Sequence, residues 1–158
     1  MNLIQFTSNL VKQDGVILDI GCGNKCYESK IKQGKFVSID ALAELNPNYV
    51  IDLEYENLPF DSNSFDMILL LDFIEHLTKH RGSEIIKQCQ QIARKYILIS
   101  TPIFWTDNSV NINNHIAWKH NPYNEHKSLW EISDFSEGWK RIEGLKNLQK
   151  QYVLLWEK

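Results

Sequence analysis

Cysteine is scarce in this sequence: three in 158 residues, an odd number at irregular spacing. A disulfide framework is therefore excluded as the source of stability. The usage fits a reducing compartment, so a cytoplasmic location is expected. Long apolar runs are missing too. None nears the roughly 20 residues that span a bilayer, and no membrane contact is expected. The opening MNLIQFTSNLVKQDG has neither a basic lead nor an extended apolar core, so it does not read as a signal peptide. Positive charge is not in surplus: 17 Lys and Arg stand against 20 Asp and Glu, a net charge of −3, and the basic residues are scattered. That argues against a nucleic-acid partner. With seven glycines and four prolines, nothing reads as a linker, and there is no repeat or low-complexity tract. Positions 1–158 are expected to form one domain. What remains is an ordinary globular composition, 43% hydrophobic and 23% charged, long enough to bury a core without disulfides or metals.

The stretch VILDIGCGNKCY, Val16–Tyr27, organises the rest. Val16, Ile17, Leu18, Asp19 and Ile20 form a short, β-branched run, the mark of a buried parallel strand. Gly21 and Gly23 follow, where the backbone turns sharply and comes close to a ligand. Asn24 is expected to cap a helix over Lys25–Gln33, closed by Gly34. A strand, a glycine turn and a helix N-terminus make a cradle for a nucleotide-like molecule at the carboxyl edge of a sheet.

Along the chain, the apolar spacing predicts an opening helix within Asn2–Lys12, strands at Phe36–Ile39 and Tyr49–Ile51, and a doubly buried strand within Phe65–Asp72. A helix follows at Ser83–Arg94, then a strand at Tyr96–Ser100 stopped by Thr101-Pro102. Strands alternating with helices imply an α/β fold, a mostly parallel sheet with helices on both faces. From about position 102 to 130 no period is sustained, and an irregular segment of that length reads as a lid or substrate loop. A short helix is expected at Ser133–Trp139, and an antiparallel strand pair at Arg141–Glu143 and Gln151–Trp156.

Asp19 lies within the first strand, Asp40 and Asp52 close the next two, and Asp72 closes the fourth. In a parallel sheet those ends share one rim, where ligands bind beside the switch in strand order. Four acids on one rim repel one another, and a cationic ligand with hydroxyls and an amine offsets that repulsion.

These motifs, together with FVSID, YVIDLE, LPFDSNSFDMILLLDFIEHL and ILISTP, make the chain resemble the class I S-adenosylmethionine-dependent methyltransferases, in particular the small type 11-like group acting on metabolites or glycans. The resemblance covers nearly all of Val16–Lys158. It implies a Rossmann-like, doubly wound, seven-stranded sheet and S-adenosyl-L-methionine as cofactor. It further implies that Asp19, Gly21, Cys22 and Gly23 shape the loop under the methionine part, and that Asp40 accepts both ribose hydroxyls. Asp52 and the backbone of Leu53 would meet the adenine, while Leu71 and Asp72 would line the far side and open onto the substrate. One departure is plain: Lys25 stands where the family often has a third glycine.

His76, four residues beyond Asp72, is the best-placed general base, with Asp72 beside it. Its alternative is a packing role near the pocket. His115, His120 and His126 match no ligand spacing, so no metal is expected. Trp105, Trp118, Tyr123 and Trp130 are expected to pack the lid, some touching substrate. Lys119, His120, His126 and Lys127 bring positive potential to the mouth, which suits an anionic or sugar-bearing acceptor. The expected reaction is methyl transfer to a small-molecule or glycan-type acceptor. A nicotinamide oxidoreductase is the rival enzyme, but its fingerprint wants a glycine where Cys26 stands. A non-catalytic methyltransferase-like subunit is the alternative of another class.

Overall fold

The computed structural model describes residues 1–105, 107, 121–135 and 137–158. Helix α1 (Leu3–Leu10) opens with a reciprocal cap: Asn2 accepts from the Gln5 backbone, and the Gln5 side chain accepts from the Asn2 backbone. There follow β1 (Val16–Ile20), α2 (Cys26–Lys30), β2 (Lys35–Asp40), β3 (Tyr49–Val50), β4 (Phe65–Leu71), α3 (Lys79–Ile92), β5 (Ala93–Pro102), β6 (Trp139–Arg141) and β7 (Gln151–Glu157). The seven strands lie in the order β3-β2-β1-β4-β5-β7-β6. The first five are parallel, and β7 runs antiparallel to both β5 and β6. The sheet is thus the doubly wound, mostly parallel one expected, with its switch in strand order between β1 and β4.

Alternation divides the core. Leu18, Ile20, Ile68, Leu70, Ile97 and Ile99 point to the face covered by Ile85, Ile86, Cys89 and Ile92 of α3. Ile17, Met67, Leu69, Leu71 and Leu98 point to the other, against Leu3 of α1 and Ile31 just beyond α2. The unbroken apolar run of β4 is therefore buried on both sides, as central parallel strands are.

Several local expectations are corrected. Asn24 does not cap α2; Lys25 holds that position at φ 55° with no side-chain cap. Gly23 and Lys25 are both left-handed, so helical backbone begins only at Cys26, and it ends at Lys30 because Ile31 turns extended and buries itself. Helix α3 begins at Lys79, not Ser83, and ends at Ile92. Gly82 lies inside it, where a Cβ would come within 2.5 Å of Trp130 Cζ2. Strand β5 runs through Thr101 to Pro102, since a proline that ends a strand removes no donor that its last antiparallel pairing needs. The helix expected at Ser133–Trp139 is instead a 3₁₀ turn at Ile132–Asp134, closed on itself by Glu131 and Asp134, after which Gly138 at φ 96° launches β6; Ser136 lies outside the described residues. Strand β6 accordingly sits two residues before the predicted Arg141–Glu143. Of the irregular segment, residues 106 and 108–120, with His115, Trp118, Lys119 and His120, lie outside the described residues. Trp130 is not lid packing; it is 1% exposed, in the core against α3.

Candidate active site

Because β1, β2, β3 and β4 are parallel, their carboxyl ends meet on one rim, and a cavity of about 230 Å³ opens there. The residues expected to hold the cofactor or act as base all line it: Asp19, Gly21, Cys22, Gly23, Asp40, Asp52, Leu53, Leu71, Asp72 and His76. Trp105 and His126, expected in the lid and at the mouth, are not part of its wall.

The turn after β1 is bolted to its neighbour. The N–H groups of Gly21 and Cys22 both donate to the Ile39 carbonyl, at 2.9 and 3.0 Å. Gly21 and Gly23 have φ of 71° and 50°, a region that glycine enters without strain. The two glycines serve different ends. A Cβ on Gly21 would fall 2.4 Å from Phe73 Cδ2, whereas a Cβ on Gly23 would meet nothing within 4 Å. Gly21 is required by packing; Gly23 leaves a bare stretch of backbone at the cavity wall. Lys25 holds a third left-handed position, its ammonium donating to the Asn46 carbonyl at 2.6 Å. That tether offsets part of the roughly 1–2 kcal/mol the conformation costs a non-glycine residue.

Asp19 is 2% exposed, and its Oδ2 has no hydrogen-bond partner among the described residues. Burial, reinforced by Glu28 and Asp40, pushes its carboxyl up to about 7. An orphaned buried carboxylate oxygen at a cavity wall calls for a donor from a ligand. Asp40 accepts from Gly23 N–H through Oδ2 and from Leu42 N–H through Oδ1, each at 3.0 Å. Each oxygen keeps a second lone pair. Asp52 lies two residues beyond β3 rather than at its tip, and its Oδ1 accepts from Glu54 N–H at 3.0 Å. Asp72 is left-handed at φ 52°. Its N–H donates to the Ser100 carbonyl, and its Oδ1 accepts from Gln151 Nε2 at 2.5 Å. The residue is exposed at the cavity mouth, yet the protein around its carboxyl raises that group above the usual range, mainly by desolvation.

His76 stands in a 3₁₀ turn, Ile74–His76, ahead of α3. Its Nδ1 lies 3.2 Å from the Glu125 carbonyl. A carbonyl only accepts, so Nδ1 carries the proton and Nε2 presents the lone pair. Burial, with His126 and Lys127 adding to it, pushes the ring down to about 4, so it is neutral at pH 7. The wall also includes Tyr123 and Lys127, expected from the sequence in the lid and at the mouth, and Tyr27, Asn121 and Asn124, to which sequence reasoning assigned no role. Tyr27 lies within the motif Val16–Tyr27; Asn121 and Asn124 belong to the aperiodic segment, where nothing in the pattern fixes a position.

The cavity suits an elongated cationic nucleoside: carboxylates spread along it, one with an unsatisfied oxygen, and bare backbone at Gly23. Residues 18–96 match the family model described as a methyltransferase domain. The chain belongs to the S-adenosylmethionine-dependent methyltransferases. No curated protein matches its sequence. Among solved structures, this methyltransferase is similar to an S-adenosylmethionine-dependent methyltransferase from Archaeoglobus fulgidus, at 15% identity and TM-score 0.69, over 98% of this chain and 91% of that one. A methyltransferase from Methanosarcina mazei gives 15% and 0.66, covering 100% of this chain and 99% of the other. A Pyrococcus horikoshii protein gives 12% and 0.66, over 99% and 87%. These are likenesses of fold. The methyltransferase uses S-adenosyl-L-methionine, and the orphaned Asp19 Oδ2 and the bare Gly23 backbone fit that cofactor.

Proposed function

We propose that this methyltransferase acts on a small-molecule or glycan-type acceptor that enters beside Asp72, His76, Tyr123 and Lys127. One observation carries the reading: the cavity walled by Asp19 and Asp40 is continuous with those polar residues. In this reading Asp19 accepts from the ammonium of the methionine part, above a turn shaped by Gly21, Cys22 and Gly23. Asp40 accepts the two ribose hydroxyls on the lone pairs left by Gly23 and Leu42. Asp52 and the backbone of Leu53 meet the adenine edge, and Leu71 with Asp72 separates cofactor from acceptor.

Bound S-adenosylmethionine supplies an activated methyl group, so the chain's own task is chiefly to hold the acceptor in line. Such positioning contributes up to roughly 7–11 kcal/mol in well-oriented systems. Leu71, Phe73 and Leu77 thin the water around the reacting centre. The lone pair on His76 Nε2 assists the acceptor in losing its proton, a contribution on the order of 10²–10⁴-fold. The three free cysteines fit a reducing, cytoplasmic setting.

The test is incubation with methyl-labelled cofactor and a fractionated metabolite extract, with calorimetry of the cofactor and its demethylated product. Label is expected in a low-molecular-weight product, and His76→Ala is expected to lose turnover while keeping cofactor affinity. Label found only in macromolecules, or turnover unchanged by His76→Ala, overturns the acceptor reading or the role of His76 respectively.

A further inference from the structure

Behind His76 of the cavity wall, ligand atoms of Glu75, His76 and His126 all lie within 4.8 Å of one another. Two imidazoles and one carboxylate make a donor set for a divalent first-row transition cation, with coordination positions left over. The cluster is built rather than casual. Thr101 Oγ1 donates to Glu75 Oε2 at 3.0 Å, and the Glu125 carbonyl fixes the tautomer of His76 so that Nε2 is the donor atom. Such outer contacts orient metal ligands. The far-off ligand is tied in as well: the N–H groups of Lys127 and Ser128 donate to the Glu75 carbonyl at 2.8 and 3.1 Å, locking the segment that carries His126 onto the turn that carries Glu75 and His76. The rings of His76 and His126 are 5.0 Å apart.

We propose that Glu75, His76 and His126 bind a divalent cation that orients and acidifies an oxygen of the methyl acceptor. This rests on the reading of the cavity mouth as the acceptor's place, and it assigns the His76 lone pair to a cation rather than directly to a proton. An acceptor hydroxyl at a remaining coordination position gives up its proton to bulk water. Its oxygen then attacks the methyl carbon as the carbon–sulfur bond breaks, the electron pair staying on sulfur. Weighing the histidines as loop residues among themselves, as sequence spacing invites, misses this set, because two of its members lie in the turn just beyond β4 and the third arrives from fifty positions away in the chain.

The probe is cobalt(II) added to the chelator-treated full chain, followed by equilibrium dialysis and visible absorption. One cobalt per chain with a ligand-field band is expected. His126→Ala and the bulkier His126→Gln should abolish the band, and Thr101→Val should weaken binding by roughly 10–100-fold, with circular dichroism showing each variant folded. Absence of the band in the wild type, or equal cobalt binding by the His126 variants, overturns the inference. Calorimetry with S-adenosylmethionine on the same samples separates the two readings: cofactor binding without cobalt binding removes the cation alone, and loss of cofactor binding in the folded wild type removes the active-site reading beneath it.

Discussion

At the scale of single residues, the site divides into groups that are satisfied and groups that are not. Asp40 already holds two backbone N–H groups and so is pre-aimed. Asp40→Ala is expected to weaken cofactor binding by roughly 1.5–3 kcal/mol, the scale of losing hydrogen bonds to a charged group, as read by calorimetry. Gly23→Val is expected to do worse, because it places a branched side chain on left-handed backbone and in the open space beside the cavity wall. Thermal melts should show both variants folded; a weaker effect of Gly23→Val than of Asp40→Ala would contradict the close approach. Asp40 was legible in the sequence because it closes the apolar run of β2, and Gly23 because it follows β1 in a glycine turn. Glu75 was not. It sits inside FIEHL, where a buried acid and its Thr101 partner look like any helix start, and only the folded chain brings the two together.

Among the elements, α3 shows where periodicity misleads. Its stripe of Ile85, Ile86, Cys89 and Ile92 was plain, but its first turn, Lys79–Gly82, carries no apolar residue of that stripe, and Gly82 is there to admit Trp130. Gly82→Ala should gain up to about 1 kcal/mol of helix propensity and lose roughly 1–3 kcal/mol by overpacking against a ring that cannot retreat. Net destabilisation is therefore expected in urea titrations, and a stabilised variant would mean that the indole moves freely. The same logic explains the other misplaced boundaries. Lys25 takes a backbone conformation its type disfavours because the Asn46 carbonyl holds its side chain. Ile132–Asp134 stays a single turn because its own two acids cap it. Strands were easier to place than helices here, since double burial leaves an apolar run that no short helix shares.

For the whole molecule, the strand order brings acids from four strands to one rim, and the folded state carries that repulsion when the cavity holds no cation. Asp19 is the sharpest case. Its folded-state pKa, about 7, stands above the ordinary 3.8, so between those values the folded chain binds the extra proton. Its contribution to stability is fully present below pH 3.8 and is lost as pH rises through about 7. Asp19→Asn should therefore melt higher than wild type at pH 8, with the gap closing toward pH 4, and should bind the cofactor more weakly. A gap independent of pH would show that Asp19 does not titrate in that window. Cofactor binding should reverse the trend in the wild type, since a ligand that prefers the ionised carboxylate stabilises most where that form dominates. The contact between Gln151 and Asp72 reaches beyond its own corner. The opening residue of the final β-strand grips a carboxylate on the cavity wall, so clipping the tail ahead of that glutamine would release Asp72 as well as shorten the sheet, and under the proposed function it would cost turnover too.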